Sequence, residues 1–141
     1  MGGTVIENAV STVDFAPTIL GLMRIDHTLG MQGIDLSNLV VQPKRQKKAG
    51  DMAFIRSTGK GTDGKWIGVF TSRYKLILSK DDDPWLLDLD QDPDELIDFI
   101  DEPGYEETVR ALAVELREYA VEFEDPYLED TKLSNDLSRL Q

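Results

Sequence analysis

The sequence predicts an α+β domain: an antiparallel sheet of about four strands, a long C-terminal helix packed on it, and a short helical segment ahead of it. Three observations carry this. Between Trp66 and Leu89, three short apolar runs alternate from side to side and are separated by turn residues. Between Val109 and Phe123, apolar residues instead recur at three- and four-residue steps. The 141 residues are 40% hydrophobic, which is enough for one modest core.

The elements follow in order. Val10 to Val13 is a short apolar run, and Asp14 is placed to N-cap a helix. Pro17 falls in its first turn, where a missing N–H costs little. Ile19, Leu20, Leu22 and Met23 carry that helix to about Arg24. Ile25 to Leu36, with Gly30 and Gly33, reads as a loop, and Val41 to Gly50 as an exposed basic linker with Lys44, Arg45, Lys47 and Lys48. Met52 to Ser57 is the first strand. The three-glycine stretch Thr58 to Gly64 is a flexible turn that lacks the spacing of a phosphate loop.

Trp66 to Ser72, Tyr74 to Lys80 and Trp85 to Leu89 complete the sheet. Strand alternation puts Trp66, Gly68 and Phe70 on one face, with Ile67, Val69 and Thr71 on the other. Tyr74, Leu76 and Leu78 share a face. So do Trp85, Leu87 and Leu89, which sends Asp88 and Asp90 outward. Pro103-Gly104 breaks the chain before a helix over 105–124, whose core stripe is Val109, Leu112, Leu116, Tyr119 and Phe123. Pro126 ends it. The tail from Tyr127 to Gln141 forms a short helix through Leu133, Leu137 and Leu140, or is disordered. Three segments result: 1–45, 46–125 and 126–141.

Composition narrows function. A net charge of −12 argues against nucleic acid and anionic membrane surfaces, which need clustered Lys and Arg. With no cysteine there is no disulfide, thiolate nucleophile or zinc–thiolate site. No apolar run approaches the ~20 residues of a membrane span. Residues 1–10 have neither the basic start nor the apolar core of a signal peptide, so if the whole protein is exported its signal is expected outside this stretch, and Met1-Gly2-Gly3 fits the start of a fragment.

The order Arg73-Tyr74-Lys75-Leu76-Ile77, Leu86-Leu87-Asp88-Leu89, Asp92-Pro93-Asp94-Glu95-Leu96 resembles the C-terminal subdomain of the type I sulfatases, in the alkaline-phosphatase-like superfamily. Leu87 stands where Tyr is usual, Asp98 for Asn and Phe99 for Leu. Upstream, Val10-Ser11-Thr12-Val13-Asp14-Phe15-Ala16-Pro17-Thr18-Ile19-Leu20 and Met31-Gln32-Gly33-Ile34-Asp35-Leu36 are similar to two further blocks of that family, with Asp35 where Ser is common. The resemblance implies that segment 1–45 is the end of a catalytic domain and 46–125 the C-terminal subdomain. It implies a parent enzyme whose formylglycine hydrate attacks sulfur while calcium stabilises the sulfate oxygens, and a periplasmic or extracellular setting. It also implies that this stretch has no activity of its own. The family's C/S-x-P-x-R nucleophile motif is absent, and its calcium ligands and catalytic His and Lys lie upstream of the matched blocks. The expected partners are the catalytic domain and, through the intact enzyme, a sulfated substrate.

The remaining candidates are weighed one by one. Asp88, Asp90, Asp92, Asp94 and Glu95 invite a calcium reading, but counted from Asp88 the EF-hand positions for Gly and Glu hold Pro93 and Phe99. They read as an acid-capped turn. Asp81-Asp82-Asp83 before Pro84 reads as a hairpin end. No catalytic, cofactor or metal residue is assigned. His27, Arg56 and Arg73 are the candidate contacts at a substrate rim; Arg73 and Lys75 serve equally well as internal salt bridges. Two other readings stay open: an acidic interaction module that self-associates through an uncovered 13–25 segment, and a calcium-responsive module on the Asp cluster.

Overall fold

The computed structural model describes residues 5–26, 30–42, 50–57 and 65–141. Two compact units divide after Ala53. The basic linker cluster, the three-glycine turn and His27 lie outside the described residues.

In the first unit a 3-10 turn, Thr12–Asp14, runs directly into helix α1, Phe15–Leu22; a second short helix, α2, spans Ser37–Val41. Asp14 is buried and does not cap α1 with its side chain. Its carboxylate turns back instead, accepting from the N–H of Ser11 (2.8 Å) and of Ile34 (2.9 Å). The helix was already started by the preceding turn, so the carboxylate is free to tie two backbone segments together. Thr18 repeats the device: its hydroxyl accepts from the N–H of Leu36 at 3.0 Å. The 30–36 segment therefore lies tight along the turn, and a Cβ on Gly33 would sit 2.0 Å from the Val13 carbonyl oxygen. Asp35 accepts from the N–H of Ser37, a local turn that starts α2.

The sheet, which belongs to the second unit from Phe54 onward, has the order β1-β2-β3-β4, from Ala53–Arg56, Trp66–Phe70, Tyr74–Ser79 and Trp85–Asp88. β2 and β3 are antiparallel with Gly68 opposite Ile77; β3 and β4 are antiparallel with Leu76 opposite Leu86. The four-strand α+β expectation holds, as do the faces of β2 and β3. Ile67, Val69, Leu76, Leu78 and Leu86 are buried, and so are Val109, Leu112, Ala113, Leu116 and Ala120 of α3, Glu106–Glu122. Helix α3 packs on β2 and β3. Tyr119 stacks on Phe54 with ring centroids 4.1 Å apart and planes nearly parallel.

Helix α3 ends before Pro126 is reached. Glu124 takes a left-handed φ of 48°, the Asp125 N–H bonds to the Ala120 carbonyl and the Glu124 N–H to that of Val121. This is a Schellman cap with glutamate where glycine is ordinary. The tail is helical: a 3-10 turn, Pro126–Glu129, then α4, Thr131–Arg139. Asp130 caps α4 through the N–H groups of Lys132 and Leu133. Leu133 and Leu137 are buried, so α4 adds apolar surface to the second unit's core.

Two substitutions test this. Leu116→Ala is expected to cost about 2–5 kcal/mol, as for other fully buried leucines. Glu124→Gly is expected to add about 0.5–1 kcal/mol by removing the left-handed strain of a side-chain-bearing residue. Urea titration of both variants against the parent chain reads the two signs.

Candidate functional site

The principal charged cluster forms where β3 begins and β4 ends. Arg73 grips Asp88 with two parallel bonds, Nε to Oδ1 at 2.9 Å and Nη2 to Oδ2 at 2.7 Å. The Tyr105 hydroxyl donates to Oδ2 at 2.9 Å, and the Asp90 N–H to Oδ1 at 3.1 Å. Asp88 is wholly buried, which corrects the expectation that it points outward. Simple alternation assumes one wet face, but the face of β4 that carries Leu86 and Asp88 is buried, and Arg73 and Tyr105 bring the donors that a buried carboxylate needs. Asp90 does stay exposed, 3.3 Å from the Arg73 guanidinium. Arg73 also lies over the Tyr74 ring at 4.7 Å.

These contacts set the electrostatics. The Arg73 hydrogen bonds hold the Asp88 carboxyl at about 2, below an ordinary 3.8, against the opposing effect of burial. Arg73 is raised in turn, chiefly by Asp88. The Tyr105 phenol is pushed up by its bond to Asp88, and the Tyr119 phenol chiefly by burial.

Lys75 and the predicted rim residue Arg56 are also paired. Lys75 meets Glu95 at 2.6 Å. Arg56 meets Asp125 at 3.1 Å and lies 5.9 Å from the Tyr127 ring centre. Arg56 borders an open cleft of about 540 Å³ shared with Lys65, Tyr127, Glu129 and Asp130. Arg56 and Arg73 are therefore not brought to one point. Glu129, Asp130 and Tyr127 went unnoticed in the sequence because nothing in a tail's composition says which strand it returns to.

The acidic turn is spent on the backbone. Asp92 accepts from the N–H groups of Leu96 (2.5 Å) and Ile97 (2.7 Å), which supports Glu95 at a φ of 58°. Among the described residues, no three His, Asp or Glu side chains are grouped to hold a metal ion. The sequence holds no cysteine, and none of its serines begins an S-x-P-x-R motif. Among the described residues none fits calcium, the sequence offers no nucleophile motif for formylglycine, and no chemical step is assigned to either group in this chain.

Comparison with known proteins completes the site. The N-sulphoglucosamine sulphohydrolase C-terminal family matches residues 1–122. No curated protein gives a significant match. Among solved structures, a 2-O GAG sulfatase aligns at a TM-score of 0.71 and 21% identity, over 89% of this chain and 28% of its own. A protein assigned as a sulfatase from Bacteroides thetaiotaomicron aligns at 0.68 and 22%, over 82% and 25%. A protein solved with its substrate D-glucosamine-2-N,6-O-disulfate aligns at 0.67 and 20%, over 84% and 25%. At these identities the likeness establishes the fold, and this chain spans about a quarter of those structures.

The Arg73–Asp88 pair yields a pH test. A carboxylate whose folded value is depressed stabilises the fold fully above its unfolded value near 4 and loses that contribution as pH falls through about 2. The contribution is on the order of 2 kcal/mol at most, since Arg73 is 41% exposed. Urea midpoints measured from pH 6 to pH 2 should fall along this limb. Asp88→Asn should flatten it. Arg73→Met, which strands a buried charge, should cost about 3–5 kcal/mol near neutral pH.

Proposed function

As a chain that belongs to the N-sulphoglucosamine sulphohydrolase C-terminal family, this polypeptide is a sulfatase C-terminal domain, and we propose that it serves by buttressing a catalytic domain rather than by carrying out catalysis itself. One observation carries the reading. Helix α1 has no charged residue anywhere in Phe15–Leu22, yet Phe15, Ile19 and Leu22 are 59%, 54% and 43% exposed. A helix apolar on all sides belongs in an interior. Val10, Val13, Met23 and Ile25 are exposed apolar neighbours in sequence, and a patch of this kind marks a contact surface. The catalytic domain that makes up the rest of such an enzyme is the natural cover.

The parent enzyme, on this reading, cleaves a sulfuric ester of a saccharide, with formylglycine and calcium supplied by its catalytic domain. Arg56 is the best-placed rim contact in this chain, since half of its side chain faces an open cleft. Arg73 is committed to Asp88 and acts by holding the fold. Without the catalytic domain, the same α1 stripe would pair two copies of the chain.

A paired assay with 4-methylumbelliferyl sulfate tests the reading. The longer product of the native locus, matured with the formylglycine-generating enzyme, should turn over, and the 141-residue chain alone should not. Turnover by the short chain would overturn it. Ile19→Asp should destabilise the longer enzyme by loosening this contact. In light scattering of the 141-residue chain at high concentration, the same change should convert an associated species to monomer.

A further inference from the structure

The face of the sheet opposite the α3 core carries a groove to which the buttress reading gives no task. Alternation and register bring Trp66, Gly68 and Phe70 of β2 beside Ile77 and Ser79 of β3 and Trp85 of β4. Ile77 lies between Gly68 and Trp85, and Ser79 lies opposite Trp66. Gly68 has no side chain to fill the middle. Trp66 leans edge-on against Phe70, with centroids 6.5 Å apart and planes at 78°, which fixes one indole. Trp85 stands 48% exposed on the far strand. A groove of about 290 Å³ opens here, lined by Trp66, Ile77, Ser79, Asp82, Asp83 and Trp85.

The two charged residues that line it are both acidic. Asp82 and Asp83 are exposed, and neither carboxylate takes part in an ion pair among the described residues. Lys132, a cation at this hairpin, spends its donors elsewhere: on the backbone carbonyls of Ser79 (3.1 Å) and Asp82 (2.6 Å) and on Asp136 (2.7 Å). The lysine thus steadies the hairpin through its backbone and pairs with neither of these carboxylates, in a chain of net charge −12. Two indoles with carboxylates at the rim attract a cation by ring quadrupole and by charge-assisted hydrogen bonds. Ile77 and the indole faces call for an apolar surface on the ligand, and Ser79 for a hydroxyl partner. The volume lies at the small end of ligand clefts, suited to one ring.

We propose that this groove binds the ring of a saccharide carrying a free, protonated amine. One ring face stacks on the indoles, the ammonium meets Asp82 and Asp83, and a ring hydroxyl meets Ser79. A sulfated ring is repelled by the same two carboxylates. The proposal does not depend on the sulfatase reading.

Calorimetry and tryptophan fluorescence of the 141-residue chain at low salt and pH 7 test it with three probes: D-glucosamine, N-acetyl-D-glucosamine and D-glucosamine-2-N,6-O-disulfate. D-Glucosamine should bind saturably and at least about tenfold tighter than its uncharged N-acetyl counterpart, with no binding of the disulfate. Trp85→Ala should weaken binding about tenfold in protein that circular dichroism shows to be still folded. The double change Asp82→Asn, Asp83→Asn should erase the preference for the charged sugar. Equal affinity for the amine and N-acetyl forms, or no saturable binding of D-glucosamine, overturns the proposal. So does shielding of Trp85 from acrylamide quenching in the longer protein, which would make this face a contact between domains.

Discussion

The second unit depends on one ion pair, between the buried Asp88 and the partly exposed Arg73. Arg73 and Asp88 lock β3 to β4 at the end of the ladder, where Tyr74 lies opposite Asp88. The same carboxylate receives the Tyr105 hydroxyl, one residue before α3 begins, and the backbone adds a bond from the Leu89 N–H to the Arg73 carbonyl. One side chain thus fixes a strand register, the path of the 89–105 loop and the entry point of the long helix. Burying a carboxylate is costly, and a bidentate guanidinium with two further donors offsets that cost. A lysine could not replace Arg73, because an ammonium cannot present two parallel bonds to one carboxylate.

The strongly acidic composition has a structural side. Asp14, Asp88, Asp92 and Asp125 are all buried. Each accepts a backbone N–H: from Ser11 and Ile34, from Asp90, from Leu96 and Ile97, and from Tyr127 respectively. Loops have no ladder to satisfy their amides, and a short carboxylate supplies the missing acceptor. Among the described residues, no buried side-chain nitrogen or oxygen lacks a partner. Part of the negative charge that looks like solvent coating in the sequence is therefore loop scaffolding.

The legibility of the sequence follows the range of the interactions. The strands and α3 could be read because period 2 and period 3.6 are local signals, and the turn at Asp81 to Pro84 stood out by its residue types. Asp88 was misread because its burial depends on Arg73 and Tyr105, 15 and 17 residues away. Asp14 looked like a cap for the same reason: its partner Ile34 is 20 residues away. The left-handed ends at Arg24 and Glu124 carry no glycine and so gave no signal. The Trp66–Trp85 groove needed the register, which alternation alone does not supply. The resemblance found the family correctly, because its blocks coincide with these local elements.

Gly33 and Gly21 extend this point. A Cβ on Gly33 would strike the Val13 carbonyl oxygen, and one on Gly21 would meet the Asp35 carboxylate at 2.3 Å. Gly33 is held by backbone in the first unit, whereas Gly21 is crowded only by a side chain that can turn aside; Asp14 and Thr18 spend their oxygens on backbone N–H groups. The block by which such a chain is recognised is therefore a signature of backbone closeness. The physical demand for these residues lasts as long as this fold must form, because it comes from the backbone contacts and not from chemistry. A search built on this block collects scaffolds, and catalytic competence has to be judged from residues that the block does not contain.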